Sequence, residues 1–76
     1  MTWNHRITRE TLEDGTHLFA LREVFYEGEQ VVSWTQEPIA AVGETFLECA
    51  DTLAKMNRAV TLGVLDLETR ETVPAR

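Results

Sequence analysis

The run from Thr16 to Tyr26 constrains the fold of this chain most, because it is the longest stretch typical of a β-strand. It is rich in aromatic and β-branched residues, contains no Gly or Pro, and lies between two turn signals, Asp14-Gly15 and Glu27-Gly28. Alternate side chains of a strand point to opposite faces, and here both faces are largely apolar. A strand with one wet face would alternate between apolar and polar residues. We therefore expect this strand in the middle of a sheet.

Two further strands are predicted beside it, Trp3–Thr11 and Gln30–Thr35. Asp14-Gly15 predicts a tight hairpin between the first two strands, because both residues tolerate the positive φ of a type I′ turn. If the loop is those two residues alone, Ile7 lies opposite Arg22. A slip of one residue would exchange the two faces of each strand.

A helix is predicted after an extended crossover over residues 36–43. Thr45 and Glu48 have the spacing of a capping box, in which a Thr hydroxyl and a Glu carboxylate bond the first free N–H groups of a helix. The helix should run from Phe46 to about Ala59, with Gly63 after its end. Helical spacing predicts an inward apolar stripe of Phe46, Cys49, Ala50, Leu53 and Met56.

These elements predict one α+β domain: a three-stranded antiparallel β-meander with one α-helix packed on a face (β-β-β-α). Val64-Leu65 is a candidate for a short extra C-terminal strand. The domain should span residues 1–68, and residues 69–76 should form a frayed tail. A chain of 76 residues buries only a little over ~60% of its unfolded surface, so its stability alone is marginal.

Composition excludes several classes of function. The net charge is −6, from 13 acids and 7 bases, which opposes binding to the phosphate backbone of DNA or RNA. No apolar run approaches the ~18 residues of a transmembrane helix, and the N-terminus lacks the apolar core of a signal peptide. A single cysteine cannot form an internal disulfide. We therefore expect a cytoplasmic protein with no membrane or nucleic-acid partner.

No group of residues in the sequence predicts a reaction, a metal or a cofactor. Cys49 falls on the predicted inward stripe, where a small core residue is the simpler interpretation than a nucleophile. On the two-residue hairpin register, His5 and His17 lie on opposite faces and cannot share a metal. Glu23 lies among apolar residues, which suits either a functional carboxylate or, more simply, an ion pair with Arg6 or Arg22.

The chain contains, in order, the segments Trp3–Arg6, Arg22–Tyr26, Val32–Pro38 and Val42–Thr45. Together they resemble a family of short acidic bacterial proteins of unknown function. The resemblance covers roughly residues 3–66, and its most specific part is Ser33-Trp34-Thr35 with Glu37-Pro38. Ala41 stands where the family pattern has a proline. The resemblance implies an amphipathic helix after the strands but no activity, cofactor or catalytic residue.

A looser likeness, of architecture alone, is to HicB-type antitoxins, which place a three-stranded sheet before a helix capped by a Gly-x-Thr sequence. This likeness transfers no residues. It motivates one of the alternative functions, an antitoxin-like regulator that binds a basic partner protein with its acidic surface.

The preferred function is a non-enzymatic protein-interaction module. One helix can cover one face of three strands, so the second apolar face predicts a homodimer formed through the sheet. A further alternative to the antitoxin-like regulator is a small-molecule-binding or catalytic domain with a site near Trp34 and Glu23. The predicted interaction surface consists of Phe19, Leu21, Phe25 and Trp34.

Overall fold

The computed structural model describes residues 1–73, which form an α+β domain with one five-stranded mixed sheet and one α-helix. The strands are β1 (Thr2–Thr11), β2 (His17–Glu27), β3 (Gln30–Trp34), β4 (Val64–Asp66) and β5 (Thr72–Val73). The helix α1 spans Phe46–Asn57 and continues as a 3-10 helix over Arg58–Leu62. The spatial order is β3-β2-β1-β4-β5, and all neighbours are antiparallel except β1 and β4.

The α+β class is confirmed, but the prediction of a three-stranded meander is wrong. The meander β1-β2-β3 is present, and β4 adds to the free edge of β1 as a parallel strand from Ile7 to Arg9. Parallel pairing needs a long crossover, which the helix-containing connection from β3 to β4 supplies. The candidate strand at Val64-Leu65 is therefore confirmed. The segment predicted to fray contains β5, whereas residues 74–76 lie outside the described part of the chain.

The first hairpin has a three-residue loop, so its predicted register is wrong by one residue. Leu12 and Thr16 form the last pair, with the Leu12 N–H donating to the Thr16 carbonyl at 2.8 Å. Gly15 closes the loop at a φ of 88°, a conformation that favours glycine. The longer loop pairs Ile7 with Leu21 and Arg6 with Arg22. Because of this one-residue slip, every residue of β1 lies opposite a different residue of β2 from the one predicted. Side chains of the two strands that were predicted to share a face therefore lie on opposite faces.

The sheet curls so that one face is enclosed. We call this the inner face; it carries the even-numbered residues of β1 and β2, among which Thr8 and Val24 are completely buried. Arg70, beside β5, reaches the opposite edge of the sheet. Its Nη1 donates to the Val31 carbonyl at 3.2 Å, and its guanidinium lies 5.2 Å from the centre of the Trp34 ring. The curl therefore covers the inner face with the sheet's own edges, so this face needs no second layer of structure.

Polar side chains fill much of the inner face. Arg22 is 3% exposed and donates to the Thr8 hydroxyl at 3.0 Å, to the carbonyls of Thr35 and Gln36, and to Glu10 Oε1 at 3.2 Å. A buried arginine needs such partners, because an unsatisfied buried donor is costly.

Glu23 lies on the other, outer face of the sheet, opposite His5. Arg6 and Arg22 are both on the inner face, so Glu23 points away from both of them. The predicted ion pair of Glu23 with either arginine is therefore wrong. For Arg6 the cause is again the extra loop residue, which moves it from the position opposite Glu23 to the position opposite Arg22. Arg22 and Glu23 are neighbours in one strand, so their side chains point to opposite faces in either register.

The predicted start of the helix is confirmed. Thr45 is the N-cap, with extended backbone, and its hydroxyl accepts the Glu48 N–H at 3.1 Å. The Glu48 carboxylate in turn accepts a hydrogen bond from the backbone N–H of Glu44, one residue before the cap, at 2.9 Å. The helical segment stops at Gly63, whose φ is 75°.

The predicted inward stripe of the helix is wrong. Of its five residues only Met56 is buried, while Phe46 is 84% exposed. The C-terminal end of the helix is anchored, because the chain must deliver β4 beside β1. The N-terminal half is free of that constraint and projects from the sheet. Within residues 1–73, no helix has both the length and the apolar character needed to span a lipid bilayer.

Candidate functional site

Helix α1 carries an apolar side that is exposed to water. We call it the outward face. Its residues follow the spacing i, i+1, i+4, i+7 and i+8, which places them on one side of a helix. Phe46 is 84% exposed, Leu47 77% and Leu53 58%. The outward face consists of Phe46, Leu47, Ala50, Leu53 and Ala54, all exposed.

The side of the helix that faces the sheet is smaller. Met56 is buried there, Cys49 and Thr52 are half-buried, and Ala59 of the following 3-10 helix is buried. The helix therefore leaves its larger apolar side in water, because that side carries Phe46, Leu47 and Leu53. Contiguous exposed apolar surface of this kind marks interaction sites in folded proteins.

The chain has a larger surface and a larger radius of gyration than a compact monomer of its size, which agrees with a partner that covers part of it. Its accessible surface is 5654 Å² for a mass of 8.7 kDa. A compact monomer of this mass has a surface of about 4,700 Å², so the excess is about 900 Å². The radius of gyration is 13.1 Å, whereas about 11 Å is typical of a compact domain of this length.

The outward face continues onto the sheet through a shallow apolar groove. The groove has a volume of about 240 Å³ and lies between Ile7 and Leu21 on the outer face and Leu53, Met56 and Val60 on the helical segment. It joins the helix to part of the interaction surface predicted from the sequence.

The four residues of that predicted surface are divided between the two faces. Phe19, Leu21 and Phe25 lie on the outer face, where Phe19 is 46% exposed. Trp34 pairs with Val24, so it lies on the inner face beneath Arg70. The predicted small-molecule site near Trp34 and Glu23 is also divided, because Glu23 is on the outer face.

A second concave region lies where the C-terminal end of the helix meets the start of β1. We call it the basic pocket. Its volume is about 420 Å³, within the range of small-molecule sites. No carboxylate lines it, although the protein has 13 acids. Its lining residues are Trp3, Asn4, His5, Lys55, Arg58, Thr61 and Leu62.

The remaining candidates for chemistry are dispersed. His5 and His17 share the outer face, contrary to the predicted register, but His17 pairs with Thr11 at the far end of the hairpin. Cys49 is half-buried, and its thiol lies 3.6 Å from the Ala41 carbonyl. Residues 1–73 contain no group of three or more His, Cys, Asp and Glu side chains that could hold a metal ion.

Sequence reasoning missed both the outward face and the basic pocket, although each leaves a signal. The pattern of five apolar residues from Phe46 to Ala54 is visible at helical spacing. Lys55 and Arg58 are three residues apart, which places them on one side of the helix. What the sequence did not show is that this end of the helix lies over Trp3 and His5.

No family model, curated protein sequence or solved structure matches the chain. The resemblance to short acidic bacterial proteins therefore stays a prediction. The functional argument depends on the geometry of the chain itself.

Proposed function

We propose that this protein is a non-enzymatic interaction module that forms a homodimer through the outward face of helix α1. The observation that carries the proposal is that the bulkier apolar side of the helix points into water. The homodimer predicted from the sequence used the second face of the sheet. The curl of the sheet encloses the inner face, and Leu21 of the outer face lies in the groove beside the helical segment, so the proposed contact moves to the helix.

The energetic argument for a partner is the small size of the apolar core. The buried apolar residues among those described are Val24, Met56, Ala59, Val64 and Leu65. Fully burying a side chain the size of Leu or Phe contributes roughly 1.5–3 kcal/mol. Phe46, Leu47 and Leu53 would therefore add a contribution comparable with that of the existing core.

The chemistry of the outward face favours a second copy as its occupant. The excess surface of the whole chain, about 900 Å², is large enough to include one side of a standard interface, about 800 Å². The five residues carry no charge, so the high net charge of the chain does not enter the contact directly. A two-fold interface also requires a self-complementary patch.

The outward face is self-complementary in an antiparallel arrangement of two helices. Leu47 and Ala54 are two helical turns apart on the same side of α1. If the two-fold axis passes between them, Leu47 of each copy packs over Ala54 of the other. A large residue then meets a small one at both ends, and Ala50 near the axis lets the helices approach closely.

A charge placed on the outward face should separate the copies. We expect Leu47→Glu to shift the dissociation constant of the dimer by at least about a hundredfold, because a buried unpaired carboxylate is strongly unfavourable. The matched control is Leu12→Glu, which adds the same charge at an exposed apolar residue in the last pair of the first hairpin. Analytical ultracentrifugation of the three proteins measures the effect. Equal dissociation constants would remove the outward face from the interface.

Engineered cysteines test the antiparallel register. In a Cys49→Ser background, Leu47→Cys and Ala54→Cys in one chain lie about 10 Å apart along the helix, too far for a disulfide within the chain. We expect the double variant to oxidise to a covalent dimer much faster than either single variant. Equal rates for all three would contradict the register while leaving the interface itself to the first experiment.

The cytoplasm is the compartment that we propose for this dimer. The lone cysteine supports it, because the chain has no second thiol for an internal disulfide. The antitoxin-like alternative predicts a different outcome in the same experiments: a monomer at all concentrations that binds a basic protein through its acidic surface.

A further inference from the structure

The basic pocket collects the free positive charge of a strongly acidic protein. Among the described residues, Arg9 bonds Asp66, Arg22 bonds Glu10, and Arg70 bonds Val31 and covers Trp34. Lys55 and Arg58 are the exposed bases that remain, and both line the pocket. Lys55 makes one solvent-exposed ion pair, with Asp51 at 3.3 Å. Such exposed pairs are weak, so Lys55 stays available to a ligand.

A hydrogen-bond relay on the inner face fixes the side chain of Asn4, one of the residues that line the pocket. Arg6 Nη1 donates to the Tyr26 hydroxyl at 3.1 Å, and that hydroxyl donates to Asn4 Oδ1 at 2.8 Å. The amide oxygen of Asn4 is therefore already bonded. The relay therefore links Arg6, through Tyr26, to the strand segment that borders the pocket.

Arg6 adds a positive charge directly behind the pocket. It is 7% exposed, and its partners are all uncharged: the Tyr26 hydroxyl, the Leu62 carbonyl at 3.1 Å and the Thr72 hydroxyl at 3.0 Å. Its Nε is buried with no hydrogen-bond partner in the described chain. A buried cation without a counter-charge is destabilising, and a bound anion nearby would offset that cost.

The aromatic wall of the pocket favours a ligand with a flat ring. Trp3 is 55% exposed and lies with its ring edge-on to His5, at 5.3 Å between centroids. An exposed tryptophan beside a cavity offers a face on which a planar group can stack. Leu62 supplies a further apolar contact.

We propose that the basic pocket binds a small anion that carries a flat ring next to its carboxylate or phosphate group. The charged group bonds Arg58 and Lys55, and the ring stacks on Trp3. Arg6 contributes long-range attraction from behind the pocket. The proposal is independent of the homodimer, because the basic pocket and the outward face share no residue.

The two tryptophans provide an internal control for the test. Each gives one indole N–H signal in a nitrogen-15 correlation spectrum, and Trp3→Phe assigns the pair. Trp3 lines the pocket, whereas Trp34 lies on the inner face. The intact protein is titrated with benzoate, with phenyl phosphate and with neutral benzamide. We expect a saturable shift of the Trp3 signal with an anionic ligand and a constant Trp34 signal. The carboxylate and phosphate arms show which anion is preferred.

Charge removal then tests the assignment of the anion contacts. Arg58→Gln combined with Lys55→Gln should weaken binding by at least about tenfold, because two charge-assisted hydrogen bonds are lost. Arg58→Lys keeps the charge and should retain most of the affinity. The proposal is overturned if benzamide shifts the Trp3 signal as much as benzoate does. It is also overturned if millimolar anion leaves that signal unmoved, or if the double variant binds as tightly as the unmodified protein.

Discussion

Arg9 on β1 and Asp66 on β4 form a two-point ion pair, with Asp66 Oδ2 at 2.7 Å from Arg9 Nε and 2.6 Å from Nη2. The two residues are register partners in the parallel pair. The other oxygen, Oδ1, accepts the N–H groups of Glu68 at 2.9 Å and Thr69 at 3.0 Å. One carboxylate therefore fastens β4 to β1 and also closes the turn into β5.

Asp66→Asn should destabilise the protein by roughly 2–4 kcal/mol, because it leaves the Arg9 guanidinium without its counter-charge and weakens the turn. Urea unfolding followed by circular dichroism measures the change. Glu68→Gln removes the same charge two residues away at an exposed position and should change stability by less than about 0.5 kcal/mol. Equal midpoints for Asp66→Asn and the unmodified protein would show that the pair contributes nothing.

The same carboxylate predicts a loss of stability in acid. Hydrogen bonds from the Thr69 N–H and then from Arg9 lower the pKa of Asp66 in the folded state, against an opposing effect of burial. A lowered folded-state pKa contributes stability above the unfolded value of about 4, and that contribution disappears as the pH falls through the folded value. We expect the stability difference from Asp66→Asn to be constant near neutral pH and to shrink below about pH 4. A difference that grows on acidification would reverse the assigned sign.

Thr45→Ala should cost about 0.5–2 kcal/mol, because the Glu48 N–H loses its capping acceptor. Thr45→Ser keeps the hydroxyl and should remain within a few tenths of a kcal/mol of the unmodified protein. Thermal or urea unfolding distinguishes the two variants. The account of the helix start fails if alanine and serine give the same midpoint.

Gly15→Ala should destabilise the first hairpin by about 1 kcal/mol, since alanine resists the positive φ of this loop. A Cβ at this position would meet no atom within 4 Å, so the cost is conformational and not a clash. Gly15→Asn should cost less, because asparagine tolerates a left-handed backbone. If both variants unfold at the same denaturant concentration, the strain at this residue is not what limits the hairpin.

Local signals in the sequence predicted the elements well. The strands around Phe19 and Val31, the cap at Thr45 and the helix end near Gly63 all follow from residue types and spacing within a few positions. The parallel pairing of β4 did not follow, because a three-residue strand carries almost no pattern of its own. The hairpin register depended on one extra loop residue, which Asp14-Gly15 does not specify.

The candidate site was harder to predict, because the helix has two apolar sides. Cys49 and Met56 suit the inward side, while Phe46 and Leu53 belong to the larger side that faces water. Periodicity alone combined them into one stripe. The basic pocket depends on the tertiary contact between the start of β1 and the C-terminal end of the helix, where Lys55 and Arg58 approach Trp3.

The molar mass in solution tests the central claim most directly. Light scattering on the unmodified protein over a wide concentration range should give twice the 8.7 kDa chain mass at high concentration, with dissociation on dilution. The outward face of α1 would then be covered in the dominant species. A mass that stays at one chain at every concentration would contradict the homodimer and leave Phe46, Leu47 and Leu53 in need of a different partner.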